Sequence, residues 1–496
     1  MNAWKNSWRL VGATIWIITF LIVLGWGVWR FGERVGLIEN AQKLMVFLLV
    51  FTLGDLKADN EEESVLSKAW LHASLKSFQA DLDHRYKAKV VLYPGTFLEF
   101  LSATENQIKI GCVHWNHAYT PGGIERDTRY QKVLAARGIE VQTHRGNVLH
   151  EPWDVHETTF IESFSAFQRL YFDQLTQTKS LDYPKEVKTE TIKGLPYGTL
   201  KDLKLALDAD RYAALLDHWD ISEKAGREML KAFVKERLQH FEDSCEIPSV
   251  QATSKLSPYI MCGQISVRWI WEICEAAGGE EAKTFLNQLL WREFATYSLF
   301  HNPELSTEPF AKDFQNFPWK SDSALILAWK EGRTGYPLID AGMRELKASG
   351  WVHNRVRLVV SSFLVKNLGI RWQEGSGYFQ ANMIDADLAL NAINWQLVTG
   401  CGVDSYPFSR ILNPVSQGEK FDPEGIYVSH WVPELRNLPE KWIHKPWEAP
   451  ADVLKKAGIA LGETYPKPVV DFHESKTWAL DAFHGLINPG EFEQAG

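Results

Sequence analysis

Gly332-Arg-Thr-Gly-Tyr-Pro-Leu-Ile-Asp-Ala-Gly-Met-Arg344, Gly350-Trp-Val-His-Asn-Arg-Val-Arg357 and Asp385-Ala-Asp-Leu-Ala-Leu-Asn-Ala-Ile-Asn-Trp395 carry most of what can be read from this chain. They lie in the half, from about residue 206 onward, where helical patterns dominate and strand-like runs are rare, which predicts an all-α domain. Between Lys330 and Trp372 eight Lys/Arg stand against three acids, a local charge of +5 inside a chain of −9. Trp329, Trp351, His353, Asn354 and Trp372 are interleaved with them. A solvated helix face explains most such clusters. The alternative is a nucleic-acid groove, in which basic residues track phosphates and aromatics offer stacking planes. In the third stretch Asp387, Asn391 and Trp395 follow i, i+4, i+8 spacing and share one helix face. Polar groups on an otherwise apolar face need partners. Arg357 is the candidate partner for Asp385 or Asp387, either as a structural ion pair or as part of a polar clamp around a buried heteroaromatic cofactor.

Upstream the pattern changes. From about 56 to 150 short apolar runs alternate with helical periods: strands at Val90–Tyr93, Ile108–Trp115 and Ile139–Val141, helices at Phe97–Ala103 and Arg126–Gly138. That alternation predicts a parallel, Rossmann-like α/β layer, although no GxGxxG opens a helix here. Leu44–Leu53 reads as a buried strand ending at Gly54-Asp55. Residues 151–205, with Pro152, Pro184 and Pro196 and weak periodicity, read as an interdomain linker. Leu10–Trp29 gives 20 uncharged, mostly apolar positions flanked by basic residues, enough to span a bilayer as a helix. The composition, 45% hydrophobic and 23% charged over 496 residues, excludes a disordered or fibrous chain. Five scattered cysteines without a CxxC support neither a disulfide framework nor a zinc site, so no metal is assigned and a reducing, cytoplasmic setting is expected. The 21 Trp are unusual, and read either as packing or as stacking and electron transfer.

The stretches quoted above, with Ser362-Phe-Leu-Val-Lys366 and Asn413-Pro-Val-Ser-Gln-Gly-Glu-Lys-Phe-Asp-Pro-Glu-Gly425, resemble the FAD-binding domain of the photolyase/cryptochrome family. The resemblance runs from about Trp70 to Asp471, and the His353-Asn354-Arg355 form is similar to bacterial cyclobutane-dimer photolyases. It implies an α/β antenna-type domain at 56–150, a linker at 151–205, a helical FAD domain at 206–480 and a tail at 481–496. It also implies non-covalent FAD. By position, Thr253, Ser254, Lys255, Leu256 and Ser257 match the loop that holds the diphosphate, as hydroxyls and backbone N–H groups near a helix start can. Arg357 and Asp385 match the pair against the isoalloxazine, and Asn391 the residue facing flavin N5. Phe241, Asn354 and Asp387 complete the implied cofactor set. Trp395, Trp372 and Trp319 match the family's electron-transfer chain, and Gln288, Trp291, Asn354, Arg355 and Leu397 its lesion-binding positions.

The departures are specific. Gln288 stands where dimer photolyases usually have Glu, and Leu397 where a stacking Trp is expected; Phe241 replaces a Tyr and Lys255 an Arg. Thr120 follows Tyr119 in place of an acid, which argues against a folate-type antenna. Residues 1–55 match the family only at Val28-Trp29-Arg30 and Leu37-Ile-Glu-Asn40, as a displaced reading frame or an added anchor would give. The implied function is light-driven repair of pyrimidine dimers in DNA by a monomer, with membrane contact only if Leu10–Trp29 is an anchor. The alternative is a cryptochrome-like photoreceptor that keeps FAD without efficient repair.

Overall fold

The computed structural model describes residues 19–24, 46–55, 65–155, 159–175, 180, 192, 194–206 and 208–488. Two compact units are present. One comprises Met1–Thr158, Arg169–Val234 and Ser254–Gly278; the other Thr159–Gln168, Lys235–Thr253 and Gly279–Gly496. Residues 206–234 and 254–278, read from sequence with the helical domain, therefore group with the first unit. Side-chain bonds explain this: Trp70 Nε1 donates to Gln264 Oε1 at 2.9 Å, and Arg268 donates to the carbonyls of Gly146 and Val148 at 3.0 Å each.

The first unit is built on a five-stranded sheet: β1 (Thr19–Leu24), β2 (Val46–Thr52), β3 (Val90–Tyr93), β4 (Ile110–Asn116) and β5 (Glu140–His144), in the order β3-β2-β1-β4-β5. Strand β2 shows why its sequence is an unbroken apolar run. Leu48 and Val50 enter one core with Phe97, Phe100, Tyr130 and Leu134, while Leu49 and Phe51 enter another with Leu75, Phe78 and Leu82. Alternate side chains point to opposite faces and both faces are covered, so the strand is apolar up to Thr52, whose buried hydroxyl is hydrogen-bonded. Helices α1 (Val65–Tyr86), α2 (Phe97–Thr104) and α3 (Pro121–Ala136) supply the covering side chains. The stop at Gly54-Asp55 does more than end a strand. Buried Asp55 accepts from Thr52 Oγ1 at 2.5 Å, from Phe97 N at 2.9 Å and from the Tyr130 hydroxyl, tying β2 to the start of α2. Thr96 and Glu99 complete a reciprocal cap there. Helix α3 starts at Pro121, five residues before the sequence reading, because a proline at the first helical turn is preorganised for that role.

The pairs β2–β3 and β4–β5 are parallel, as expected, but the central strand β1 runs antiparallel to both neighbours. This strand corrects the reading of Leu10–Trp29 as a membrane helix. Its described part, Thr19–Leu24, is a strand bonded on both edges, and the remainder lies outside the described residues. Hydrophobic length alone does not distinguish a spanning helix from a central strand. Among the described residues no helix is long and apolar enough to cross a membrane.

The stretch read as a linker contains α4 (Phe164–Leu175), which buries Phe167 and Tyr171 one turn apart. Then follow α5 (Ala209–His218), α6 (Glu223–Glu236) and α7 (Val267–Ala277). The second unit is helical: α8 (Glu280–His301), α9 (Ser323–Glu331), α10 (Pro337–Ser349), α11 (Asn354–Ser362), α12 (Trp372–Asn382), α13 (Leu388–Thr399), α14 (Pro414–Phe421), α15 (Ile426–Trp431), α16 (Ala451–Ala457) and α17 (Phe472–Ile487), besides shorter turns. One core holds Trp329, Phe363, Trp372, Trp395 and Tyr427 together.

Candidate functional site

Gly350 ends α10 in the left-handed conformation (φ 71°), and the chain turns through Trp351 and Val352 into α11. His353 caps that helix, its Nδ1 accepting from Arg355 N at 3.2 Å. The same turn aims Arg357: its Nε donates to the Val352 carbonyl at 2.7 Å, and its Nη2 meets the Asp385 carboxylate at 2.8 and 3.2 Å. Asp385 is 3% exposed at the side chain and Arg357 23%, so the carboxylate is buried behind a guanidinium that still reaches the surface. Of the two partners open to Arg357 from sequence, Asp385 takes it. Asp387 is the N-cap of α13, accepting from Leu390 N at 3.0 Å, and lies 3.8 Å from Arg292 Nε. It starts the helix rather than continuing a helical face with Asn391.

Asn391 is buried, and its Nδ2 donates to the carbonyl and hydroxyl of Ser376, each at 3.0 Å, and to Gln380 Oε1 at 3.1 Å. A backbone carbonyl can only accept, so the amide nitrogen must face α12. Asn391 Oδ1 is thereby left to act as an acceptor, which is what a protonated flavin N5 requires. A guanidinium on α11, an oriented amide on the packed helix α13 and a carboxylate in the turn before α13 fit the rim of a flavin ring, with its alternating carbonyls and ring nitrogens. One turn on, Trp395 meets Phe379 edge-on at 5.1 Å and Trp329 at 6.3 Å. Trp372 is buried in the same core, and Trp319, whose Nε1 donates to the Phe314 carbonyl at 3.3 Å, packs against it. Among the described residues no ring–ring contact links Trp395 to Trp372 or Trp372 to Trp319.

Gly375 is the residue that makes room for Trp395. A Cβ there would lie 2.1 Å from the indole Cη2 and 2.6 Å from Leu364 Cδ2. Gly375→Ala is therefore expected to overpack the core and lower stability by about 1–3 kcal/mol, read as a fall in the thermal midpoint; an unchanged midpoint would show that the ring has somewhere else to go.

The lesion-binding candidates lie on this unit too. Gln288 is exposed on α8, Trp291 half-buried one turn later, and Asn354 exposed at the start of α11. Arg355 is ion-paired with Glu246 and lies over the Phe421 ring at 4.5 Å. Leu397 is only 7% exposed, so it is packed rather than presented. Phe241 is a core residue, edge-on to Phe285 at 5.4 Å. Thr253, whose carbonyl accepts from Arg237 at 3.1 Å, belongs to the second unit, whereas Ser254–Ser257 belong to the first. Lys255 holds φ at 52°, a left-handed value that is uncommon outside glycine.

The basic cluster is not a single surface. Lys366 is fully buried, donating to the carbonyls of Phe408 and Arg410 at 2.9 and 3.0 Å; burial, with Arg410 nearby, pulls its ammonium down to about 7. Arg344 is bound in a two-pronged pair with Glu434, and Arg357 with Asp385. Proximity along the chain gave the count of eight, whereas helical geometry points these groups in different directions. Sequence reasoning also passed over Gly375 and Ser376, and gave Asn394 no role of its own. Asn394 alone left a signal, since an amide inside a helix is disfavoured without a partner.

Residues 285–485 match the FAD binding domain of DNA photolyase, and residues 37–186 match the DNA photolyase domain. The chain is 36% identical over 420 residues to a deoxyribodipyrimidine photo-lyase of Agrobacterium fabrum, covering 84% of this chain and 88% of that protein. It is 38% identical over 393 residues to cryptochrome-1 of Arabidopsis thaliana, covering 75% of this chain and 58% of the relative. A crystal structure of a bacterial class III photolyase from Agrobacterium tumefaciens superposes with a TM-score of 0.81 at 36% identity, covering 86% of this chain and 89% of that one.

Proposed function

The chain belongs to the photolyase/cryptochrome family, and on that premise we propose that it is an FAD-dependent, light-driven DNA photolyase acting as a monomer on cyclobutane pyrimidine dimers. The observation that carries the reading is the fixed orientation of Asn391, whose amide nitrogen is committed to Ser376 and Gln380. Reduced FAD, when bound, supplies an electron that light moves to the dimer and that returns once the ring has split. The chain's own residues bind and orient. Arg357 and Asp385 would hold opposite charges at one edge of the flavin ring, and Asn391 Oδ1 would accept from its protonated nitrogen. Trp291 would offer an aromatic plane to a flipped base, and Arg355 a guanidinium to the strand. Base–aromatic stacking is worth about 1–3 kcal/mol per base. With Leu397 in place of a second aromatic, Trp291 bears more of the lesion's recognition than it would in a two-platform pocket.

The deciding assay is loss of thymine dimers under blue light with reduced, FAD-loaded protein, set against the same mixture in darkness. Light-dependent repair is expected, faster on single strands than in duplex, where extruding the lesion costs a few kcal/mol more. No repair of either DNA form by protein that binds and photoreduces FAD would identify a photoreceptor instead.

A further inference from the structure

Trp291 is clamped by a residue that the site described above does not use. Its indole Nε1 donates to Asn394 Oδ1 at 3.0 Å, from α8 across to α13. Two further rings bound the indole: Phe164 stands edge-on at 5.0 Å and 69°, and Phe294 is tilted at 5.6 Å and 50°. Asn394 occupies an interior position of α13, where Asn is a weaker helix former than Ala or Leu. Its amide competes with the backbone unless something else engages it. The cross-helix bond to Trp291 is that engagement.

This bond is not needed to hold the two helices together. Arg292 on α8 lies 3.8 Å from Asp387 at the start of α13, and α8 buries Leu289, Leu290 and Phe294 while α13 buries Ile393, Trp395 and Leu397. What the bond does specifically is fix the rotation of one indole. A side chain already ordered in the free protein loses less freedom when a ligand stacks on it.

We propose that Asn394 is a positioning residue that holds Trp291 in its lesion-binding orientation and so sets affinity for dimers. The inference rests on the reading of Trp291 as the stacking platform. The Asn394 oxygen is engaged by the indole, so its effect is expected on binding.

The test uses the full-length, FAD-loaded chain with Asn394→Leu, which removes the acceptor at similar volume, Asn394→Asp, which keeps it, and Trp291→Ala. In Asn394→Leu the KM for dimer-containing single strands is expected to rise roughly 3- to 10-fold, the equivalent of one freed side chain. Turnover at saturating substrate and affinity for undamaged DNA should be retained. Asn394→Asp should restore most of the loss. Independently, the indole N–H resonance of Trp291 in [15N]tryptophan-labelled protein, identified by its absence in Trp291→Phe, should move upfield in Asn394→Leu and return in Asn394→Asp. That readout needs no substrate. A wild-type KM in Asn394→Leu, while Trp291→Ala is impaired, overturns the clamp. So does an equal loss in Asn394→Leu and Asn394→Asp, or an unmoved resonance. If Trp291→Ala also binds dimers as wild type does, the assignment of Trp291 as platform has failed and the clamp's binding role falls with it.

Discussion

Purified Arg357→Ala is expected to be folded and nearly colourless, where the parent chain is yellow with bound FAD. The Asp385 carboxylate is 3% exposed and depends on Arg357 at 2.8 and 3.2 Å. Removing one partner of a buried pair leaves an uncompensated charge, at about 3–5 kcal/mol. Because Arg357 is itself 23% exposed, water replaces part of the lost contact and the lower end applies. That cost falls on stability, whereas the charge-assisted contact Arg357 would give the flavin is worth about 1.5–3 kcal/mol, or roughly 10- to 150-fold in Kd. Arg357→Lys keeps the charge but not the fork that reaches both the Val352 carbonyl and Asp385, so partial flavin retention is expected. The measurement is the visible flavin absorbance relative to protein, with circular dichroism for folding. An equal flavin content in Arg357→Ala would remove this pair from the cofactor site.

Acid is expected to weaken the first unit through a buried imidazole, His114, stacked on the half-buried His144. His114 on β4 is fully buried, with Cys112 Sγ 3.3 Å from its Nε2 and His144 Nε2 3.3 Å from its Nδ1. Burial first, and the neighbouring His144 second, pull His114 down to about 3; burial and His117 lower His144 as well. A histidine whose folded pKa is depressed takes up its proton more readily when unfolded. Its contribution is therefore intact above the unfolded value of about 6.5 and is lost as pH falls from there towards 3. Over that window His114 alone accounts for about 4 kcal/mol, a large share of an ordinary domain's stability of about 5–15 kcal/mol. Urea unfolding of the intact chain at a series of pH values between 7 and 4 should show the slope, and His114→Gln should flatten it. A wild-type pH slope in His114→Gln would assign the acid sensitivity to other groups.

Much of the architecture was legible in the sequence, because individual strands and helices are written in local periodicity. A short, Val- and Phe-rich apolar run stopped by Gly54-Asp55 reads as a buried strand and is one, and Val90–Tyr93 appears with the bounds its β-branched residues imply. The stretches around Gly350 and Asp385 likewise offered Arg357 a partner in Asp385 or Asp387, and the fold chose Asp385. Tertiary structure decided what depends on direction in space. Thr19–Leu24 became a central strand because both of its edges found partners, which hydrophobicity could not reveal. Lys366 left the basic cluster for the core because two carbonyls, more than forty residues further along the chain, accept its ammonium. Asp387 was taken as a cap, and Asn391 was turned by Ser376 so that its oxygen is the free end. Asn394 found its indole on a helix about a hundred residues away in sequence. A hydrogen bond needs its donor and acceptor within about 3 Å in a set orientation, and only the folded chain brings such distant groups together.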